Sequence, residues 1–173
     1  MKTSALATLA ATTLLILATG CQDTEPPAPD PEEEAVVAVV QQLFEAMRTN
    51  DSTMAANTFH PAARIGRAGE NGISFGHPQG LVGMIAAPKD EVYDEPIWDW
   101  AVNVDGRLAQ MWTKYAFYTG DTFSHCGSDA FELYKGRNGW QITQLVDTRR
   151  TEDCWYPPGR EPEGAGGAAE PES

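Results

Sequence analysis

Residues 97–149 alternate apolar and polar side chains over two long stretches, and a tight-turn signal divides each stretch into two. Alternation with a period of two is the pattern of half-buried strands, and an Asp-Gly break between two such runs is typical of a β-hairpin. The first break is Asp105-Gly106, and the second is the Gly-Arg-Asn-Gly segment at residues 136–139. This half of the chain therefore predicts two successive β-hairpins in a long antiparallel meander. The predicted strands cover residues 97–104, 107–118, 123–135 and 140–149.

The half of the chain before the meander predicts helices. Asp30 and Pro31 suit an N-cap and a first helical position, and valine, leucine and phenylalanine then recur at helical spacing. Helices followed by a meander predict an α+β domain, a cone-shaped curved antiparallel sheet packed on two or three N-terminal helices. The predicted elements are helices over residues 31–48, from residue 50 to before Pro61 and over residues 77–86, a short strand at 62–66 and a flexible loop at 66–76.

The charge of the chain excludes one class of partner. The formal net charge is −13, with 25 acidic residues against 12 lysines and arginines. Nine of the acids lie in two acidic flanks, at residues 23–33 and 161–172. A protein that binds nucleic acid presents a basic stripe to the phosphates. This chain has no such stripe, so we expect no nucleic-acid partner.

The N-terminus predicts export and a lipid anchor. Lys2 precedes a short apolar run over residues 6–18, which is too short to span a bilayer as a helix. The Ala-Thr-Gly-Cys sequence at residues 18–21 resembles a bacterial lipoprotein signal, in which cleavage before the cysteine leaves Cys21 to carry lipid. This resemblance implies attachment to a membrane through lipid on Cys21 and a place in the bacterial cell envelope. An ordinary signal peptide with an incidental cysteine is the alternative.

Composition divides the chain into four parts. Residues 1–20 are the predicted signal peptide, and residues 21–32 are a proline- and acid-rich segment that predicts a disordered tether. Residues 33–156 form one predicted domain, and the glycine- and proline-rich residues 157–173 predict a disordered tail. Gln22, rather than an acid, follows the lipid cysteine, which favours the outer membrane facing the periplasm by resemblance to known sorting signals.

Apart from Cys21, the chain has two cysteines, Cys126 and Cys154. In an oxidising compartment an even number of remaining cysteines favours a disulfide. Such a bond would stabilise the fold by about 3–4 kcal/mol through restriction of the unfolded chain. A reactive Cys126 beside His125 is the alternative, but consecutive side chains on a strand point to opposite faces. The sequence therefore favours a disulfide between Cys126 and Cys154.

Four short motifs in the second half of the chain resemble a bacterial branch of the nuclear transport factor 2-like (NTF2-like) superfamily. The relatives of that superfamily include polyketide cyclase-like and ketosteroid isomerase-like domains. The resemblance spans residues 33–154 and implies a curved sheet wrapped over helices, with a pocket between them. Because such domains share the pocket while their chemistry differs, function has to be argued from the residues. The motifs are WxxYxF at residues 112–117, SHCGxDxF at 124–131, GWxI at 139–142 and DTRR at 147–150.

The second hairpin supplies two candidate site residues. Pairing Lys135 with Trp140 across the turn places Asp129 opposite Val146. Alternation then puts Asp129 and His125 on the face that holds the apolar core, near the open end of a cone. A carboxylate and an imidazole four residues apart at a pocket mouth suggest an acid–base or ligand-orienting pair. The alternative is that Asp129 caps or salt-bridges the structure and that His125 is a half-buried packing residue.

The same predicted register assigns polar residues to the outer face of the sheet. These are Cys126, Asp147 and Arg149, with Cys126 directly across from Arg149. On that face Asp147 would form a structural ion pair with Arg149 or with Arg150. This pair would stabilise the sheet and take no part in a site.

The first hairpin supplies aromatic candidates for binding a flat or apolar ligand, namely Trp98, Trp112 and Tyr115. Packing against the long helix is the alternative role for most of these rings. Register puts Trp98 with Tyr115 on one face and Trp112 with Asp99 on the other, and the sequence leaves open which face is concave. Asp99 beside Trp112 resembles the general base of a ketosteroid isomerase, a carboxylate made more basic by apolar surroundings. No oxyanion-binding pair in the sequence matches that resemblance.

No metal ion or cofactor is expected. The three histidines, His60, His77 and His125, are scattered, and no two of them have the spacing of metal ligands. The chain also has no phosphate-binding glycine loop, no dinucleotide fingerprint and no Gly-x-Ser-x-Gly motif.

Three functions remain open from the sequence. The first is binding of an unknown small molecule without catalysis, since no complete catalytic set can be assembled. The second is an enzyme of the cyclase, isomerase or dehydratase type with Asp129 or Asp99 as general base and His125 orienting the substrate; it requires a pocket carboxyl of raised pKa. The third is a protein-interaction module that docks a partner or forms a homodimer through the outer face of the sheet.

Overall fold

The computed structural model describes residues 30–161, which form three helices and seven strands. The predicted signal peptide, Cys21, most of the tether and residues 162–173 lie outside the described residues. No helix within residues 30–161 is long and apolar enough to cross a membrane. The elements in chain order are α1 (Pro31–Arg48), α2 (Ser52–Thr58), β1 (Phe59–Gly69), β2 (Gly72–Gly76), α3 (Gln79–Ala86), β3 (Tyr93–Asp94), β4 (Ile97–Asp105), β5 (Leu108–Thr119), β6 (Thr122–Gly136) and β7 (Gly139–Thr148).

Helix α1 has the bounds that its sequence predicts. The Asp30 carboxylate accepts a hydrogen bond at 2.8 Å from the backbone N–H two residues on, and a proline occupies the first turn. Asp51 caps α2 in the same way. The core-facing stripe of α1 includes Val36, Val40 and Leu43, all without exposed surface. Burial of each such side chain contributes about 1.5–3 kcal/mol, so α1 is held to the sheet mainly by this stripe.

The seven strands form one curved mixed sheet in the order β2-β1-β7-β6-β5-β3, with β4 also paired to β5. Strand β1 runs parallel to β7, so the prediction of a wholly antiparallel sheet is wrong. A hairpin turn fixes the direction of its own two strands only, and β1 reaches β7 through a long crossover. The predicted loop at residues 66–76 is also wrong, because most of it forms the β1–β2 hairpin, in which Gly72, the first residue after the turn, has a φ of +119°.

The predicted first hairpin is present as β4–β5, but its turn lies one residue further along the chain. Gly106 and Arg107 form the turn in place of Asp105-Gly106, and Gly106 has a φ of +60°. Glycine adopts this backbone conformation without steric cost. A bulge then interrupts the pairing at Asp99, which has a φ of +54°.

The second hairpin, β6–β7, has the predicted register near its turn and a different register beyond it. Thr143 is an extra, unpaired residue in β7, and its hydroxyl donates a hydrogen bond to the Glu132 carbonyl oxygen at 3.0 Å. Past this bulge Asp129 pairs with Asp147, so the predicted pairing of Asp129 with Val146 is wrong. One inserted residue shifts register by one place and reverses which face each following side chain meets.

Because of the bulge, three further predictions about residues near the end of β7 are wrong. Asp147 and Arg149 lie on the concave face and line a cavity there, rather than facing outward. Asp147 forms its ion pair with Arg67 of β1 and not with a neighbouring arginine of its own strand. Cys126 is bridged to Arg150, one residue beyond the predicted partner.

A disulfide joins Cys126 to Cys154, with 5.7 Å between their Cα atoms, which confirms the predicted bond. It attaches the C-terminal segment (residues 150–161) to the outer face of the sheet. Further along this segment the Arg160 guanidinium lies 3.9 Å from the Tyr118 ring centroid and pairs with Asp94. The C-terminal segment therefore contacts the domain as far as Arg160.

The core that joins the sheet to the helices can be tested with two leucines of neighbouring strands. Leu133 has no exposed surface, whereas Leu108 is 56% exposed. We expect Leu133→Ala to lower the free energy of unfolding by about 2–5 kcal/mol, because it leaves a cavity in the core. Leu108→Ala should change it by no more than about 0.5 kcal/mol. Urea unfolding of both variants measures the difference, and equal losses would contradict the observed packing.

Candidate functional site

A cavity of about 450 Å³ lies between α1, α3 and the concave face of the sheet. Most of its wall is apolar, because α1 and α3 each turn one apolar face toward the sheet. Residues four apart on a helix lie one above the other, so Leu43 and Met47 present adjacent side chains to the cavity. The aliphatic and phenylalanine side chains of the lining are Leu43, Phe44, Met47, Ile65, Leu81, Met84, Phe117 and Leu145.

The sheet side of the cavity carries most of its charge. Three strands that lie side by side, β1, β7 and β6, contribute four charged or titratable side chains, and two more come from the residues that follow β3 and β7. Three are carboxyl groups, two are guanidinium groups and one is an imidazole. The apolar wall thus faces a polar floor made of Arg67, Glu95, His125, Asp129, Asp147 and Arg149.

Asp129 is the most deeply buried member of this polar floor, with 2% of its surface exposed. It lies between Thr113 of β5 and Asp147 of β7 in the pairing of the sheet. Within residues 30–161 its Oδ2 atom has no hydrogen-bond partner. Burial raises the pKa of the Asp129 carboxyl well above its ordinary value, and the neighbouring Glu95 and Asp147 carboxyls raise it further. The structure therefore holds a carboxyl group that favours its protonated form.

Asp147 differs from Asp129 because it has a cationic partner. The Arg67 guanidinium donates through Nε to Asp147 Oδ2 at 2.9 Å, and a second guanidinium nitrogen lies 2.9 Å from the same oxygen. Burial still raises the pKa of Asp147, while Arg67 opposes that shift. The pair arises from the parallel β1–β7 pairing, which places Arg67 beside Asp147.

Glu95 is a site residue that no pattern in the sequence indicates. It follows the two-residue strand β3 and precedes Pro96, outside any periodic segment. Burial, followed by the charges of Asp147 and Asp94 and opposed by Arg67, raises its pKa to about 8. A carboxyl of this kind keeps most of its proton at neutral pH and is half protonated at about pH 8, close to the range in which proton transfer is most effective.

His125 lines the cavity from β6, on the face that the sequence predicts. Its imidazole is neutral at physiological pH. Its ring stacks on Phe117 with centroids 4.9 Å apart and meets Tyr115 edge-on at 5.8 Å. Its Nδ1 atom lies 3.0 Å from the Ser124 hydroxyl oxygen. Burial, together with the positive charges of Arg149 and Arg67, lowers the pKa of His125 to about 4. At neutral pH the imidazole can therefore orient a ligand but carries no charge.

Tyr115 forms the wall beside His125 and is fixed by its hydroxyl group. The hydroxyl donates a hydrogen bond to the Thr148 carbonyl oxygen at 2.7 Å, and burial raises its pKa. This arrangement depends on Gly127, the residue paired with Tyr115. A Cβ atom at position 127 would lie 2.0 Å from the Thr148 carbonyl oxygen and 2.6 Å from the Tyr115 ring. The glycine of the SHCGxDxF motif therefore allows the tyrosine to close this side of the cavity.

Three other predicted site residues lie away from the cavity. Asp99, at the β4 bulge, forms an ion pair with Lys114 at 2.7 Å, and its side chain is 56% exposed. Trp112 is 54% exposed on the outer face, and Trp98 is half-buried outside the cavity lining. The sequence left open which face of the first hairpin is concave. In the structure the face of β5 that carries Tyr115 is concave, and the face that carries Trp112 is outside.

The floor is not arranged as a metal site. Within residues 30–161 no group of three or more histidine, cysteine, aspartate or glutamate side chains is placed to hold a metal ion. Asp129 and Glu95 can donate or accept a proton, and His125 can donate or accept a neutral hydrogen bond.

No protein-family model matches this chain, and no curated protein does. Solved structures do match it. An NTF2-like protein of unknown function from Shewanella baltica is 21% identical, with a TM-score of 0.52 over 68% of this chain and 93% of that one. The chain has the NTF2-like fold. An NTF2-like protein with a cystatin-like fold from Novosphingobium aromaticivorans is 10% identical, with a TM-score of 0.58 over 68% and 80% of the two chains. A proposed dehydratase of the NTF2-like family from Streptomyces avermitilis is 15% identical, with a TM-score of 0.58 over 72% and 99%.

The raised pKa of Glu95 has a measurable effect on stability. A carboxyl whose pKa is raised on folding stabilises the fold while it is protonated, and this contribution is lost as the pH rises toward the folded-state pKa of about 8. We therefore expect Glu95→Gln to raise the free energy of unfolding at pH 8 relative to the parent chain and to have little effect at pH 4. Chemical denaturation at both pH values measures this. The exposed Glu132→Gln is the matched control, and a Glu95→Gln effect equal to the control at pH 8 would refute the assignment.

Proposed function

We propose that this protein is a lipid-anchored envelope protein that binds a small, partly apolar molecule in its cavity. The lipoprotein-like sequence that ends at Cys21 and the proline-rich tether support the anchor. The cavity supports the binding function, since about 450 Å³ lies within the range of about 300–1,000 Å³ that small-molecule sites occupy. An apolar wall with a few convergent polar groups is the usual composition of such sites.

The observation that carries this proposal is the unpartnered oxygen of Asp129. A buried polar atom without a hydrogen bond costs about 1–3 kcal/mol, and folded proteins rarely retain one without a functional reason. Asp129 lines the cavity, so a hydrogen-bond donor on a bound molecule can satisfy this oxygen. The apolar part of the molecule would then contact the α1 and α3 side chains opposite.

Proton-transfer catalysis of the cyclase, isomerase or dehydratase type is the second candidate function. The pKa of Glu95 near 8 and the raised pKa of Asp129 favour it, since these carboxyls can act as general acid or general base at neutral pH. Asp99 is not a candidate base in this mechanism, because it lies outside the cavity. The proposed dehydratase with a similar fold shows that such chemistry has been suggested for another protein of this shape.

Native mass spectrometry of the full-length protein, purified from bacterial envelopes, tests the binding function. We expect a bound small molecule on the parent chain and at least about a tenfold loss of its occupancy in Asp129→Asn, which keeps the size of the side chain but alters its hydrogen bonding. The exposed Asp105→Asn is the matched control and should keep the ligand. An empty parent protein, or equal occupancy in both variants, would refute the proposed site.

The catalytic candidate makes a further prediction for the identified ligand. If the cavity transforms that molecule, the rate should depend on pH through a group that titrates near 8, the pKa of Glu95, and Glu95→Gln should abolish this dependence. Turnover is followed by mass spectrometry of the released product. A ligand that is returned unchanged at every pH from 5 to 9 would leave binding without catalysis as the function.

A further inference from the structure

We propose that the molecule bound in the cavity is an organic cation, an amine with an aromatic or aliphatic body, and that Asp129 and Glu95 receive its ammonium group. This inference rests on the proposed binding function and adds the charge of the ligand to it. It follows from three features of the cavity: unequal numbers of acidic and basic partners, the buried oxygen of Asp129, and the aromatic rings around the floor.

The carboxyl groups of the floor outnumber the cations that can neutralise them. Arg67 is engaged with Asp147 through two contacts of 2.9 Å to one carboxylate oxygen. Arg149 lies on the cavity lining but is exposed to solvent, which screens its charge. Within residues 30–161 neither Asp129 nor Glu95 takes part in a salt bridge. Two carboxyls of the floor thus lack the partner that buried charges normally have.

Asp129 shows where in the cavity a cationic group would bind. Its side chain is 98% buried, since 2% of its surface is exposed, and its Oδ2 atom has no partner among the described residues. An ammonium group has three N–H donors and no acceptor, so it can hydrogen-bond a carboxylate without placing a second acceptor beside it. A charge-assisted hydrogen bond of this kind is about twice as strong as one between neutral groups.

The walls next to the acids are suited to the body and the charge of an amine. Tyr93 and Phe117, whose ring centroids are 5.4 Å apart, line the cavity together with Phe44 and Tyr115. Aromatic faces attract ammonium groups through their quadrupoles and also bury apolar carbon. The Tyr93 ring already makes such a contact inside the domain, with the Lys89 ammonium 4.9 Å from its centroid.

Apart from Arg149, which is exposed to solvent, the other titratable groups of the floor do not oppose a cation at neutral pH. Burial lowers the pKa of His125 to about 4, so its imidazole adds no positive charge beside the ligand. The Arg67 charge is balanced by Asp147, and the Tyr115 hydroxyl is held by the Thr148 carbonyl oxygen. An anionic ligand, by contrast, would meet three carboxyl groups.

Isothermal titration calorimetry with three probes of similar size tests the proposal on the full-length protein. The probes are phenylbutylamine, phenylbutanol and phenylbutanoate, which share a body and differ in charge. We expect the amine to bind at least about tenfold more tightly than the alcohol, and the carboxylate to bind most weakly. Titrations in buffers of different ionisation enthalpy should show release of about one proton per amine bound at pH 7, because the ligand displaces a proton held by the carboxyl pair.

Two variants separate this proposal from the proposed function. Asp129→Asn should reduce amine affinity about tenfold and phenylbutanol affinity by clearly less, because the neutral hydroxyl makes only the weaker, uncharged hydrogen bond to this side chain. Glu95→Gln is a second variant at a less buried position, and it should reduce both the amine affinity and the number of protons released. Alcohol binding that equals amine binding, with no proton release, would overturn the cationic ligand while the binding function stands. If none of the probes binds and the purified protein carries no ligand, both proposals fail.

Discussion

The β-bulge at Thr143 is the feature on which the site depends. Without the extra residue, Asp147 and Arg149 would face outward, and Asp129 would lie opposite an apolar side chain. With it, Asp147 lies beside Asp129 on the concave face, and the parallel pairing of β1 with β7 brings Arg67 to Asp147. A hydrogen bond from the Thr143 hydroxyl to the backbone of the facing strand accompanies the bulge. One local irregularity therefore converts the end of an ordinary hairpin into a charged floor, in keeping with the frequent placement of bulges next to functional sites.

Burial disfavours the charged form of Glu95, Asp129 and His125, three groups of that floor that have no salt-bridge partner within residues 30–161. It raises the pKa of Glu95 and Asp129 and lowers the pKa of His125. At neutral pH the floor consequently carries much less charge than the number of its ionisable side chains suggests. Glu95 and Asp129 therefore lower the stability of the fold as the pH rises, and His125 lowers it as the pH falls, because each must then take its charged form in a buried place. The apolar stripe of α1 and the buried core of the sheet offset this cost. Retaining a locally unfavourable arrangement within a stable scaffold is what a binding or catalytic site requires.

The outer face of the sheet supports the inner site through the C-terminal segment. The Cys126–Cys154 disulfide attaches this segment, and Arg160 then stacks on Tyr118 and pairs with Asp94, the residue that precedes Glu95. Strand β3 is only two residues long and has few ladder hydrogen bonds of its own. The ion pair with Arg160 adds a second attachment to β3, and in this way the covalent bond on one face helps to hold an acidic group on the other.

The sequence by itself determined the parts of the structure that depend on local pattern. It predicted the bounds of α1, both hairpins of the meander, the α+β class, the disulfide, and the placement of His125 and Asp129 on the inner face. These features could be predicted because periodicity, capping and turn chemistry act over a few neighbouring residues. Tertiary structure decided the rest. The parallel β1–β7 pairing joins segments about 80 residues apart, as the Arg67–Asp147 hydrogen bond shows. The bulge at Thr143 could not be predicted either, because the alternation of apolar and polar residues does not show where an extra residue is inserted. Glu95 joins the site only because β3 packs beside β5, and its pKa arises from burial and from carboxyls that are distant in the sequence.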